Sequence, residues 1–364
     1  MLSDLVDELI WPKVLRAPAL ACSPNRLISG CVGVFLISLI LNLYSWLRSP
    51  HNSSDEQAET SELAQAAESA TPSVTQLIES FMDAIVRLDL IQLAQTVIDT
   101  VMVLRYNALH NTWQTLILGI LFATVYALVG GSISRSAAFE FAQGRYASRE
   151  ETIHFTLSRA RQYFGAIVGP FFFAAILFLI IAIGGLLLSF PIVDLLGSVL
   201  YAFGLALGII ATVVLLLHVV ALPLIIPALS VEGTDGFDAI QRSYAYVIGR
   251  PLRYFSYVLL LSILGFIAAT VCAMLANVSQ EMTDSAANLF FSHAAESALT
   301  GEGDLGATKS LAHGIIEAFR GVLAIIVAGY IASLFFTSST MLYLAIRRIC
   351  DGQGITEIWE PVNQ

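Results

Sequence analysis

The chain has 364 residues, 57% of them hydrophobic and only 13% charged, with a formal net charge of −10. A soluble chain carries about 25% charged residues, so a water-soluble fold is excluded: it would have to hide far more apolar surface than a chain of this length can. The acidic balance argues against nucleic acid as a partner, because a phosphate backbone is bound by an excess of cations.

Uninterrupted apolar runs such as 164–190 exceed the roughly 20 residues that a spanning helix needs. They lack the apolar–polar alternation of a transmembrane barrel strand. The fold class is therefore all-α: a polytopic membrane protein with six transmembrane helices and amphipathic interfacial helices on both faces. The spans fall at 27–47, 112–133, 164–190, 195–222, 254–278 and 318–346. The connectors then alternate sides. One side holds 1–26, 134–163, 230–253 and 347–364, with thirteen of the eighteen basic residues. Basic connectors stay in the cytosol, so both termini are expected there. The resulting organisation is a cytoplasmic interfacial helix over 1–26, a transmembrane domain over 27–346 and a cytoplasmic tail over 347–364. The outer side holds a segment at 48–111 and a loop at 279–313.

In chain order, the first element is a short amphipathic helix. Ser3 suits its N-cap, and Leu5, Val6, Leu9 and Ile10 form one face before Pro12 ends it. After the first span, residues 49–73 are Ser, Ala, Glu and Gln and read as a flexible linker. Apolar pairs then recur at helical spacing over 75–107, with Ser73 and Gln76 as a capping box. This amphipathic helix lies on the outer leaflet, covers the bundle or docks a partner. Gly165 and Gly169 open the third span, and Gly204 and Gly208 lie in the fourth. Small residues four apart let helix backbones approach closely. The "TGEGDLG" stretch at 300–306 lacks the ligand spacing of a calcium loop and reads as a turn.

Two inner connectors resemble one another. Ser148 and Glu151 form a capping box that opens 148–164, and Asp235 and Asp238 hold the matching positions in 235–255. Each leads an apolar stripe towards the membrane: Ile153, Leu157 and Ala160 in one, Phe237, Ile240, Tyr244 and Val247 in the other. Each ends in Tyr-Phe, at 163–164 and 254–255. The shared pattern points to a parallel internal repeat. Arg159, Arg161, Arg250 and Arg253 lie where inner-leaflet phosphates would meet them, and are candidate lipid-phosphate anchors. Pro223 and Pro227 mark where the fourth span bends and leaves the membrane.

Nucleotide-binding, zinc-protease and serine-hydrolase signatures are absent. The cysteines, Cys22, Cys31, Cys272 and Cys350, have no metal-ligand spacing, so neither a cofactor nor a metal is expected. Glu317 and Arg320, three apart, are expected to form an ion pair. His218 is the one ionisable side chain deep in a span, and such a residue is a candidate functional site. Thr337, Ser338, Ser339 and Thr340 place four hydroxyls in the last span, either lining a polar path with His218 or bonding between helices.

Three stretches carry a resemblance: "WPKVLRAPAL" at 11–20, "IPALSVEGTDGFDAIQRSYAYV" at 226–247 and "TMLYLAIRRICDGQGITEIW" at 340–359. They resemble a broad group of uncharacterised bacterial multipass membrane proteins, loosely similar to the membrane domain that accompanies glycerophosphodiester phosphodiesterases. That resemblance implies a helical domain in a bacterial cytoplasmic membrane and supplies no catalytic residues. The expected function is a non-enzymatic scaffold or accessory subunit, with membrane lipids and a membrane protein or a second copy as partners. The other reading is a transporter of small molecules or lipids.

Overall fold

The computed structural model describes residues 13–48, 91–92, 95–96, 98–99, 102, 112–187, 194–288 and 307–360. The pattern up to Pro12, the linker 49–73 and the turn at 300–306 lie outside them. So does the helix expected over 75–107, apart from the isolated positions between 91 and 102.

Among the described residues every regular element is helical: α1 (Ala17–Ala21), α2 (Pro24–Arg48), α3 (Thr112–Gln143), α4 (Arg149–Ser158), α5 (Ala160–Leu186), α6 (Asp194–Glu232), α7 (Gly236–Gly249), α8 (Pro251–Asn288) and α9 (Ala307–Asp351). Six of these (α2, α3, α5, α6, α8 and α9) are long and apolar enough to cross a membrane. The chain is an all-α, multi-pass integral membrane protein. Its most apolar windows are only 22% to 44% buried, and side chains such as Phe172 and Val199 stand exposed. In a bilayer those faces meet lipid.

The helices run past the ends that hydropathy sets. α8 continues to Asn288 and α9 begins at Ala307, so both flanks of the expected 279–313 loop are helical. A helix leaving hydrocarbon keeps its internal hydrogen bonds, and Thr283 adds one by donating to Ser279 O at 2.7 Å. α6 likewise passes through Pro223 and Pro227 and ends at Glu232.

The chain divides into two compact units. One comprises 1–29, 122–262 and 333–364; the other comprises 30–121 and 263–332. In the first, α5 packs along α6 through Ala174, Leu177 and Ala211, with Leu207 and Leu215 against them. Residues 130–139 of α3 are buried on every side. Two glycines make this close packing feasible: a Cβ on Gly130 would fall 2.3 Å from the Phe336 ring, and one on Gly131 2.6 Å from Thr156. In the second unit, α2 and α9 touch backbone to backbone. A Cβ on Gly30 would lie 2.2 Å from Gly329 O. Arg320 bonds Glu317 at 2.6 Å, as its spacing predicts, and also Asp284 at 2.9 Å.

The expected packing glycines divide. Gly204 and Gly208 face Ile181 of α5 at ordinary contact distance. A Cβ on Gly165 or Gly169 would meet no atom within 4 Å, so neither carries a close helix contact among the described residues. α5 turns a different face to its neighbours, the one bearing Tyr163, Ala166, Ile167 and Pro170.

The paired connectors form as capped helices. Ser148 Oγ accepts from the Glu151 N–H, and Asp235 Oδ1 from the Asp238 N–H, each at 3.1 Å. α4 buries Thr152, Phe155 and Thr156, while α7 buries Ala239, Ser243, Tyr246 and Val247. Leu157 and Phe237 stand outward, the latter 76% exposed. Val247 packs inward, so the stripe expected on α7 is split between the two faces. The buried faces thus mix hydroxyls and small residues with Phe155, Tyr246 and Val247, while Leu157 and Phe237 point away.

Candidate functional site

The candidate site is the end of the first unit where α3, α4, α6, α7, α9 and the C-terminal tail meet. Four arginines organise it. Arg135, 2% exposed, donates Nη1 to Ser230 O and Nη2 to Trp359 O, both at 2.7 Å. Its guanidinium stacks on Phe139 at 4.4 Å and Phe155 at 4.2 Å. Arg347 is equally buried. It binds Glu232 Oε1 at 2.7 Å and the carbonyls of Gly354 and Glu357 at 2.7 Å. Arg26 binds Leu20 O and Glu140 Oε2, the latter at 2.6 Å, which fixes the α1–α2 elbow. Ser333 Oγ reinforces the elbow by donating to Ala21 O at 2.8 Å. Arg159 donates to Gly233 O and lies over the Trp359 ring at 4.6 Å.

The tail is thereby strapped to the bundle. α9 ends at Asp351, and Gly352 turns the chain with φ +70°, a conformation glycine adopts without strain. Trp359 then uses both backbone groups: its N–H donates to Val231 O at 2.9 Å, and its carbonyl accepts from Arg135. Gly233, at φ +60°, lies so close beneath the indole that a Cβ there would fall 2.6 Å from ring carbons.

Beside the strap, two carboxylates bracket Arg242 of α7. Glu232 and Asp351 lie 3.7 and 3.9 Å from its Nη1. Those distances are within ion-pair range and beyond hydrogen bonding. Tyr343 donates to Glu232 at 3.0 Å, and Tyr246 donates to Asp351. Burial alone would lower the Arg242 pKa, but Tyr343, Glu232 and Tyr246 outweigh it and the net shift is upward. Burial, then the bond to Asp351, raises the pKa of Tyr246. Burial pushes Tyr244 up to about 12.

The tyrosines that end the paired connectors are buried, and both bond α6. The Tyr163 hydroxyl meets Ser230 Oγ at 2.9 Å, and Tyr254 donates to Val220 O at 2.5 Å. The second bond falls one carbonyl past the Val219 carbonyl that Pro223 leaves without a donor.

His218 is fully buried. Its Nε2 meets Ile167 O at 3.0 Å, and since a carbonyl only accepts, that nitrogen carries the proton. Phe171 meets the ring edge-on at 5.2 Å, and Tyr244 lies 6.2 Å away. His218 Nδ1, the Tyr244 hydroxyl and Thr337 Oγ1 have no hydrogen-bond partner among the described residues. Thr340 bonds back to Phe336 O at 2.8 Å within its own helix. Ser339 is buried and Ser338 half-buried. The hydrogen-bond and ring contacts of His218 run to α5 and α7, not to the hydroxyls at 337–340. Among the four candidate phosphate anchors, Arg161, Arg250 and Arg253 are exposed. Arg159 differs, because its guanidinium already holds Gly233 and Trp359.

The sequence alone does not single out Arg135, Arg347 or Trp359. The available signals were the small-residue run at 130–139 with one arginine inside it, and a lone tryptophan in a polar tail.

Together the helices and this buried ionic base define a polytopic membrane protein with an internally braced end. No protein-family model, no curated protein and no solved structure matches the chain.

Proposed function

We propose that the chain is a scaffolding or accessory subunit of a bacterial cytoplasmic-membrane assembly, with both termini in the cytosol and no reaction of its own. One observation carries this reading. The buried Arg26, Arg135 and Arg347 direct most of their donors to the chain's own carbonyls and carboxylates, so they brace a platform. Around that platform α7 and the start of α8 turn large apolar groups outward: Phe237, Ile248 and Leu252, the last 84% exposed. A braced base with an outward apolar ridge suits lateral docking to another membrane protein. Photo-crosslinkers at Phe237, Ile248 and Leu252 test this in intact cells. Protein adducts at all three positions are expected; lipid adducts alone would count against docking. Reporter fusions at each terminus test the orientation, and an external signal from either overturns it.

A second reading, a permease, is favoured by the His218 Nδ1 and Tyr244 hydroxyl between α5, α6 and α7, which have no hydrogen-bond partner among the described residues. Buried polar atoms without partners are costly and are tolerated where a ligand supplies the bond. Uptake assays comparing the parent chain with His218→Leu distinguish the two readings. Unchanged flux for every solute supports the scaffold.

A further inference from the structure

A cleft of about 530 Å³ opens beside the strap, walled by Arg135, Phe155, Arg159 and Trp359, with Glu150 and His154 at its rim. Its charges are arranged unlike those elsewhere in the base. Arg26, Arg242 and Arg347 each have a carboxylate within 4 Å. Arg135 and Arg159 have none among the described residues; they bond only carbonyls and stack only on rings. Both guanidiniums sit over the same Phe155 ring, at 4.2 and 5.2 Å from its centroid, so they are no further apart than those two distances together. Two like charges within that distance repel one another, and an anion between them relieves the repulsion. Glu151 of α4 also lines the cleft; it pairs with Arg145 at 3.0 Å, and it and Glu360 lend Arg135 part of their field without bonding it. Glu150, exposed at the rim, adds a second carboxylate to the lining and so disfavours a highly charged polyanion.

From this arrangement we infer that the cleft binds a single phosphate ester group, held by Arg159 within the field of Arg135 and flanked by Trp359. Guanidinium donors match phosphate oxygens in geometry as well as charge. The phosphate belongs either to a lipid headgroup or to a small soluble ester. The site exists only while the tail is strapped, because Trp359 is one of its walls. Such binding is compatible with either reading of function above.

The test uses the full chain in maltoside micelles, with Trp11, Trp46 and Trp113 replaced by Phe so that emission reports Trp359. One arm titrates glycerol phosphate, and the other titrates short-chain phosphatidylglycerol against diacylglycerol of the same chain length. Saturable quenching by the free ester identifies a soluble ligand. Saturation by the phospholipid alone, with none by diacylglycerol, identifies a headgroup. In either case His154→Glu, an exposed rim change that leaves every bond of the strap in place, weakens binding about fivefold or more, and His154→Arg strengthens it. Arg159→Ala abolishes it. The inference is overturned if neither probe saturates, or if the His154 and Arg159 variants bind as the parent does.

Discussion

Gly233 and Trp359 fit one another with no room to spare. The left-handed backbone of Gly233 places its α-carbon under the indole, where a Cβ would stand 2.6 Å from the ring. Gly233→Ala therefore meets two penalties, about 1–2 kcal/mol for the left-handed conformation and a clash with Trp359. Thermal unfolding in detergent should show the loss, and acrylamide should reach Trp359 more readily than in the parent. Adding Trp359→Ala removes the clash and leaves the backbone strain. The double variant should then lose less than the sum of the single losses, and full additivity would contradict the contact.

Arg347 and Glu232 form a deeply buried ion pair of the base, at 2.7 Å. Removing one partner of such a pair strands the other charge, at a cost of about 3–5 kcal/mol. Arg347→Met should approach that figure, because the Gly354 and Glu357 carbonyls also lose their donor. Arg347→Met combined with Glu232→Gln should recover part of it, measured by denaturant unfolding in micelles. Protease sensitivity of the tail should rise with Arg347→Met, since the strap loses two of its bonds.

Alkaline pH offers an independent check. The pKa values of Tyr246 and Tyr244 both lie above the ordinary phenol value of about 10. The folded chain keeps these protons to higher pH than the unfolded chain does. Their contribution is full below about pH 10 and drains away as pH rises through the folded values, near 12 for Tyr244. Unfolding midpoints should fall between pH 10 and 12. Tyr246→Phe, which cannot ionise, should start from lower stability, having lost the bond to Asp351, and decline less steeply.

Much of this architecture is legible in the chain itself. Six apolar runs announce six helices because hydrocarbon demands length and apolarity from each span separately. The Ser148 and Asp235 caps are legible for the same reason: a cap acts over three residues, and its partner lies in the same short word. The base is not local. Arg135 and Trp359 are 224 positions apart, and no periodicity links them. Hydropathy also treats every arginine near a span end as a surface anchor. It cannot tell Arg250, which is exposed, from Arg347, which is buried and paired. The stripe of α7 splits because an interfacial helix has both protein and lipid beside it: Val247 faces protein where Phe237 faces out.

The glycines make that limit measurable. By spacing alone Gly165 and Gly169 look like a packing motif, whereas Gly30 and Gly329 share no motif at all. In the fold the ranking inverts. A Cβ on Gly30 would fall 2.2 Å from Gly329 O, and one on Gly329 2.6 Å from Cys31 Sγ. Neither backbone can yield without the two helices separating. Gly30→Val should therefore lower the unfolding temperature sharply and reduce folded yield in the membrane, with Gly329→Val doing the same. Gly165→Ala and Gly169→Ala meet open space and remove only a flexible helix position. They should leave stability unchanged or raise it, by up to about 1 kcal/mol. Side-by-side melting curves of the four variants decide the matter. A loss at Gly165 or Gly169 equal to that at Gly30 would mean that the third span makes its close contact with another molecule, and a second copy of the chain would be the first partner to test by crosslinking.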